Sequence, residues 1–117
     1  MTQSSLSRGA IVLTRFPFTD LTGASLRPAL VVSDGPIGQD LVLAAISSVL
    51  RGSLVPTDYK IDTTHGEFAL TGLRVSSVFR MHKLAAVERS VIVRRLGRVG
   101  PQVQAEVDKL LRVVLAL

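Results

Sequence analysis

The sequence predicts a mainly β protein, a small and strongly curved sheet or partly open barrel, with one α-helix at the C-terminal end. Three observations lead to this prediction. Short apolar segments, about six of them, alternate with turn residues at regular spacing. Two of them, Arg27–Ser33 and Leu41–Ser48, carry uninterrupted apolar runs with polar residues only at their ends, which is typical of central strands buried on both faces. Residues 101–115 instead repeat apolar side chains at helical steps.

The N-terminal part of the chain predicts one strand between two polar segments. Residues 1–7 are polar and expected to be flexible. Residues 10–16 are β-branched and predict a strand, which Pro17 ends because proline cannot donate to a sheet ladder. Residues 18–25 contain the Thr, Asp and Gly of a loop. We expect this loop to fold back over the surface.

The two central strands have clear limits. Pro28 favours an extended backbone at Arg27 and is tolerated only at the start of a strand, so Arg27 marks the point where the chain enters the core. Residues 34–38, with two glycines and a proline, predict a turn before the second run. Ser47 and Ser48 close that run. Arginine and the two serines are therefore expected at the rim of a rigid core, where sites are built.

The remaining strands are shorter or more polar. Residues 57–62 alternate as a half-exposed strand does, and the following turn places His65 in an exposed loop. Residues 73–87 predict a long strand with a bend, followed by a polar turn and a last strand over residues 91–96.

Gly100 and Pro101 predict the start of the helix, because proline is favoured in the first turn. The apolar stripe consists of Val103, Val107, Leu110, Leu111, Val114 and Leu115. We expect it to pack on the barrel or on a second subunit.

Composition limits the class of function. With 117 residues and 47% hydrophobic content, we expect a single domain over 1–117. The formal charge is +5, and eleven of the fourteen cationic residues are arginines, whose planar forks suit phosphates. A nucleic acid or an acidic protein segment is the favoured partner, and charge alone leaves both open. The N-terminal residues have no apolar core of a signal peptide and no run approaches the ~20 residues of a membrane span, so we expect a soluble, cytoplasmic protein.

Candidate site residues gather on one strand face. In an extended chain Ser76, Val78, Arg80 and His82 point to the same side. The chain has no cysteine, and its two histidines lack acidic neighbours at ligand spacing, so we expect neither a metal nor another cofactor. The arginines within 94–98 either contact a polyanion or form a solvated strand end.

The order of several motifs resembles the MazF/PemK family of toxin–antitoxin endoribonucleases across nearly the whole chain. The resemblance rests on Arg8-Gly9, 11–13, 16–21, Leu26-Arg27-Pro28 with the run to Ser33, 45–48, Ser77-Val78-Phe79-Arg80, 83–85 and the closing strand, turn and helix. It implies an SH3-like barrel, a homodimer, metal-independent cleavage of single-stranded RNA at short sequences, and inhibition by a partner antitoxin.

The resemblance also implies roles for individual residues. Arg27 matches the arginine before the family's proline, and Ser47, followed by Ser48, matches the Thr or Ser that closes the third strand. Arg80 matches a further arginine of PemK-type members, in which an aspartate two residues later is the proposed base. His82 occupies that position here, and Ala10 replaces the acidic residue that usually follows Arg-Gly.

RNA cleavage without a metal requires a base for the 2′-hydroxyl, cations for the phosphate and a proton donor for the leaving oxygen. Arg27 suits a bidentate phosphate contact, and Ser47 suits a positioning hydrogen bond. His82 suits the base or acid role because imidazole exchanges protons near neutral pH. Arg80 would stabilise the transition state. Ser48, Ser76 and both arginines are the predicted RNA contacts.

Plainer interpretations compete with each role. Arg27 would otherwise form an ion pair with Asp34 or Asp40. Serines at a strand end and a lone strand histidine are more often structural than catalytic. A binding barrel without catalysis is therefore one alternative, which the His82 and Ala10 replacements favour. A gyrase poison resembling CcdB is another, less favoured because those toxins end in a Trp-containing tail and this chain has no tryptophan.

Overall fold

An antiparallel sheet and one C-terminal helix make up the fold. The computed structural model describes residues 6–15, 26–48 and 53–117. The strands and the helix in these ranges are β1 (Ala10–Thr14), β2 (Arg27–Val31), β3 (Asp40–Ser47), β4 (Asp58–Ile61), β5 (Ser77–Glu88), β6 (Ile92–Arg98) and α1 (Pro101–Leu115). The strands lie in the order β4-β5-β3-β2-β1-β6. The predicted mainly β class with a terminal helix is confirmed, and in the described part the sheet is open at β4 and β6.

The strand predictions hold with shifted ends. β1 ends at Thr14, two residues before the predicted end, and the loop predicted over residues 18–25 lies outside the described residues. β5 starts at Ser77, later than the predicted start at residue 73. Of the N-terminal segment predicted to be flexible, residues 1–5 lie outside the described residues and Leu6 is buried.

The central strands bury a different apolar cluster on each face of the sheet. One cluster joins Leu30 and Ala44 to the helix residues Val103 and Val107. The other cluster forms on the opposite face; its buried members are Leu6, Ala10, Val12, Ala29, Val31, Leu41, Leu43 and Val87. Since side chains alternate along a strand, Arg27 shares the face of Ala29 and Val31, which is the face opposite α1.

Helix α1 begins at Pro101, as predicted. Val103 and Val107 are buried against the sheet, as predicted, whereas Leu115 is 49% exposed and is not covered by the sheet. At about 100° per residue, Leu115 lies about 80° around the helix from Val107, at the rim of the stripe. In the described residues no helix has the length and apolarity needed to cross a membrane.

Arg8 ties the helix to the sheet. Its guanidinium donates one hydrogen bond to the carbonyl of Val32, just beyond the end of β2, and another to the Asp108 carboxylate of α1 at 2.6 Å. Gln104 donates to the same carboxylate at 2.8 Å. Arg8 therefore has a structural role here, since it connects the start of the described chain with β2 and α1.

Glu67 supplies the N-terminal cap of α1 from a distant part of the sequence. Its carboxylate accepts hydrogen bonds from the backbone N–H groups of Gln102 and Val103, at 3.0 and 2.9 Å. Burial raises the pKa of Glu67, but these hydrogen bonds and the nearby positive charge of Arg98 outweigh burial and leave the pKa lowered. His65 is half-buried rather than exposed as predicted, because its Nδ1 accepts a hydrogen bond from the Glu67 N–H at 2.9 Å.

The short 3-10 helix Phe68–Thr71, which follows Glu67, packs directly on the backbone of β6. A Cβ added at Gly97 would lie 2.4 Å from the carbonyl oxygen of Leu70 and 2.5 Å from that of Thr71. Only glycine therefore allows this close approach. The contact holds the segment that presents Glu67 to the helix.

We expect Gly97→Ala to lower the free energy of unfolding by about 1–3 kcal/mol, because the new methyl group must displace backbone. Gly66→Ala is the matched control, since a Cβ there meets nothing within 4 Å. Chemical denaturation of both variants measures the difference. Equal stabilities of the two variants would contradict the close packing described.

Glu67 also predicts how stability depends on pH. A carboxyl group with a lowered pKa in the folded state stabilises the fold above its unfolded pKa, and this contribution disappears as the pH falls through the folded pKa. We therefore expect wild-type protein to lose thermal stability below about pH 4.5, and Glu67→Gln to be less stable at neutral pH with a weaker pH dependence in that range. Glu106→Gln, which alters an exposed carboxylate of α1, is the control. Parallel pH profiles of the melting temperature for Glu67→Gln and wild type would count against the cap.

Candidate functional site

Arg27 and Ser47 stand at adjoining ends of two paired strands, since β2 begins at Arg27 and the antiparallel β3 ends at Ser47. The ladder between them ends with Ala29 opposite Ala45, and the same register, continued by two residues, sets Arg27 across from Ser47. Directly opposite residues share a face, with Cβ atoms about 4.5–5.5 Å apart. Both side chains are partly exposed. The structure thus brings together the arginine and the hydroxyl that lie 20 positions apart in the sequence.

Arg80 joins them from the next strand. It lies opposite Ala45 in the pairing of β3 with β5, and Ala45 and Ser47 point to the same face because they are two residues apart. Arg80 and Ser47 are therefore diagonal neighbours, with about 7–8 Å between them along the sheet surface. The Arg80 side chain is 30% exposed.

His82 lies where β5 departs from regular pairing. Ala45 pairs with Arg80, whereas the adjacent Ala44 pairs with Leu84, so residues 81–83 form a bulge. Bulges redirect side chains and are common beside active sites. Here the bulge coincides with a contact to the residue before β4: Nδ1 of His82 lies 3.0 Å from the Thr57 hydroxyl.

Asp58 is the site residue that the sequence did not reveal. It lies opposite Arg80 in the pairing of β4 with β5, and its Oδ1 accepts a hydrogen bond from Arg80 Nε at 2.9 Å. The same oxygen is 3.9 Å from Nδ1 of His82. Its side chain is only 2% exposed, although the alternation of residues 57–62 predicted a half-exposed strand. Asp58 could have been identified only by knowing which residue pairs with Arg80 across the strands, and the sequence alone does not give that pairing.

The two remaining predicted RNA contacts lie at the borders of this region. Ser48 is exposed immediately after β3. Ser76 precedes β5, and its hydroxyl accepts a hydrogen bond from the N–H of Thr63 at 3.1 Å. Val78, on the same predicted face, is buried. In the ranges described, no three His, Asp or Glu residues are arranged to hold a metal ion.

An exposed basic strand continues along the same sheet. Arg94, Arg95 and Arg98 of β6 are exposed, and Arg95 lies opposite Val12, which shares the face of Ala29. Two guanidinium groups near a hydroxyl, with an imidazole beyond them, can bind an oxyanion, direct hydrogen bonds to it and exchange a proton. These groups are the ones needed to bind a phosphate ester at this face of the sheet.

Solved structures of three toxins or endoribonucleases share this fold. The Mycobacterium tuberculosis toxin MazF-mt6 has a TM-score of 0.71 at 17% identity, with 92% of this chain and 97% of that chain covered. A MazF of Deinococcus radiodurans has a TM-score of 0.66 at 21% identity, with 95% and 96% covered. An endoribonuclease from Mycobacterial species, solved with its cognate antitoxin, has a TM-score of 0.67 at 19% identity, with 95% of each chain covered.

A search among curated proteins found no match. The sequence model of a toxin family, described as PemK-like, MazF-like toxin of type II toxin–antitoxin system, matches residues 7–115. This range contains every strand of the sheet and the whole of helix α1. The chain therefore belongs to the PemK-like, MazF-like toxins of type II toxin–antitoxin systems.

Proposed function

We propose that this toxin is a metal-independent endoribonuclease that cleaves single-stranded RNA at short sequences. The observation that carries the proposal is the register that sets Arg27 beside Ser47 on the face opposite α1, with Arg80 on the adjacent strand. Family membership supports the same activity. A phosphodiester lying across β2, β3 and β5 would meet a guanidinium at each side and a hydroxyl between them.

The proposed reaction is attack by the 2′-hydroxyl on the neighbouring phosphorus. A base takes the proton of the hydroxyl, the 2′ oxygen bonds to phosphorus, and the bond from phosphorus to the 5′ oxygen breaks. The products are a 2′,3′-cyclic phosphate and a 5′-hydroxyl that has received a proton. Arg27 holds the non-bridging oxygens, Ser47 positions one of them, and Arg80 stabilises the added negative charge.

His82 is the proposed proton-transfer residue. It takes the position at which the family resemblance implies an aspartate, and its side chain is 36% exposed beside Arg80. Ser48 and Ser76 flank the site and are the proposed further contacts of the RNA strand. The exposed arginines of β6 add positive charge for the phosphate backbone.

The proposed assembly follows the family. We propose a homodimer in the cytoplasm that a cognate antitoxin inhibits. In support of such a partner, an endoribonuclease from Mycobacterial species with this fold was solved in complex with its cognate antitoxin, and a MazE–MazF structure from Deinococcus radiodurans also shares the fold. The basic surface is suited to an antitoxin segment rich in acidic residues as well as to RNA.

A binding barrel without catalysis is the second candidate. The observation that favours it is the engagement of both Arg80 and His82 with β4, through Asp58 and Thr57, because such contacts also occur in purely structural networks. Cleavage assays separate the two candidates.

Removal of either central group tests the nuclease directly. With purified protein, a long RNA and EDTA, we expect Arg27→Ala and Ser47→Ala each to lower the cleavage rate by about 10²–10³-fold, because each removes a contact to the reacting phosphate. Arg112→Ala removes an equal charge from an exposed position on α1 and is the control. Absence of cleavage by the wild type would favour the binding barrel, whereas cleavage at wild-type rates in both site variants would show that Arg27 and Ser47 are not the catalytic groups.

The role of His82 is tested by exchanging its side chain. If imidazole transfers the proton, His82→Ala should lose about 10²–10⁴-fold in rate while His82→Asp, which restores the carboxylate implied by the family, keeps part of the activity. Lys83→Ala, at the neighbouring exposed position of the bulge, is the control. Equal single-turnover rates for wild type and His82→Ala would remove His82 from the mechanism.

A further inference from the structure

We propose that Asp58, on the edge strand β4, is a positioning residue that holds Arg80 in its productive orientation and places a carboxylate beside His82. The proposal rests on the ribonuclease function proposed above and adds a residue that the family resemblance did not supply. Asp58 lies within 4 Å of both side chains, at 2.9 Å from Arg80 Nε and 3.9 Å from His82 Nδ1.

The contact with Arg80 fixes the direction of its guanidinium. Asp58 and Arg80 lie directly opposite each other on paired strands, so their side chains share a face. The carboxylate binds Nε, the nitrogen nearest the side-chain stem, so this contact does not use the outer edge of the fork that the two terminal nitrogens form. Those nitrogens are the pair that binds two phosphate oxygens at once. A charge-assisted hydrogen bond at a side chain only 2% exposed restricts the rotamers of Arg80 before RNA binds.

The contact with His82 distinguishes its two nitrogens. Nδ1 lies 3.0 Å from the Thr57 hydroxyl and close to Asp58. When one ring nitrogen of a histidine is held by the protein, the other is left for the substrate. In the proposed site, Nε2 is therefore the nitrogen that faces the RNA. The bulge at residues 81–83 brings His82 within reach of β4 and makes this arrangement possible.

Asp58 acts through its neighbours rather than on the RNA. Both of its carboxylate oxygens have protein partners: Oδ1 accepts from Arg80, and Oδ2 accepts from the N–H of Val55 at 3.0 Å. Its side chain is almost fully buried. A carboxylate so enclosed does not reach a phosphodiester on the sheet face, which rules it out as the base. Its effect on the reaction must pass through Arg80 and His82.

A double-mutant cycle on RNA cleavage tests this role. We expect Asp58→Asn to lower kcat about 10–100-fold with a smaller change in KM, because a misdirected guanidinium affects mainly the transition state. In an Arg80→Ala background, the same change should cost less than about threefold, since the group that Asp58 positions is gone. Asp62→Asn is the matched control, since it changes an exposed carboxylate one residue after β4 that pairs with Lys60 at 3.4 Å.

Other outcomes identify which proposal fails. If wild type cleaves RNA and the losses for Asp58→Asn and Arg80→Ala multiply in the double variant, Asp58 is a structural residue and this inference is wrong. If wild type does not cleave RNA, the proposed function fails first and the positioning role fails with it. Arg80→Lys tests the same role without changing Asp58. We expect this variant to cleave RNA nearly as slowly as Arg80→Ala, because an ammonium group cannot bind Asp58 and two phosphate oxygens at once, as the planar guanidinium does. A wild-type rate for Arg80→Lys would overturn the proposal even if Asp58→Asn did not fold.

Discussion

The register of β3 between its neighbours is the constraint on which the site depends. Residues that face each other across antiparallel strands share a face, and a slip of one residue would turn Arg27 away from Ser47. The turn between β2 and β3 fixes this register through Ser33. Its hydroxyl accepts a hydrogen bond from the N–H of Val42 at 3.1 Å and donates one to the carbonyl of Gly35 at 2.9 Å.

Burial alone would specify this register weakly. β2 and β3 are apolar on both faces, so a slipped pairing would still bury apolar side chains on each side of the sheet. In strands with one polar face, the same slip would expose a whole apolar row. Turn chemistry therefore carries more of the specification here than the hydrophobic pattern does. The helix adds a second source, because α1 packs on one face only and its fixed attachment through Arg8 and Glu67 distinguishes the two faces.

Local patterns in the sequence were sufficient to predict the strands and the helix, but they could not predict the contacts between these elements. Apolar runs located β2 and β3, and Gly100-Pro101 located the start of α1, because these signals depend on neighbouring residues. The cap from Glu67 to Val103 spans 36 positions and the contact of Asp58 with Arg80 spans 22, so neither leaves a local signal. The ends of the two apolar runs placed Arg27 and Ser47 at the rim of the core, and the family resemblance supplied their expected roles.

The position of Asp58 helps to explain why this chain can have a histidine at position 82, where the family resemblance implies an aspartate. The resemblance implies a carboxylate two residues after Arg80, on the same strand, where this chain has imidazole. A carboxylate is nevertheless present beside Arg80, supplied by the adjacent strand β4 and aligned with it by pairing. A buried carboxylate is stable only with a partner, so Asp58 and Arg80 depend on each other energetically. Since Asp58 is enclosed, it supplies charge and orientation but no proton transfer to the substrate. In the proposed mechanism, the exposed imidazole in the bulge is then the group left to exchange protons with RNA. The duties that one aspartate would otherwise combine are divided between two strands.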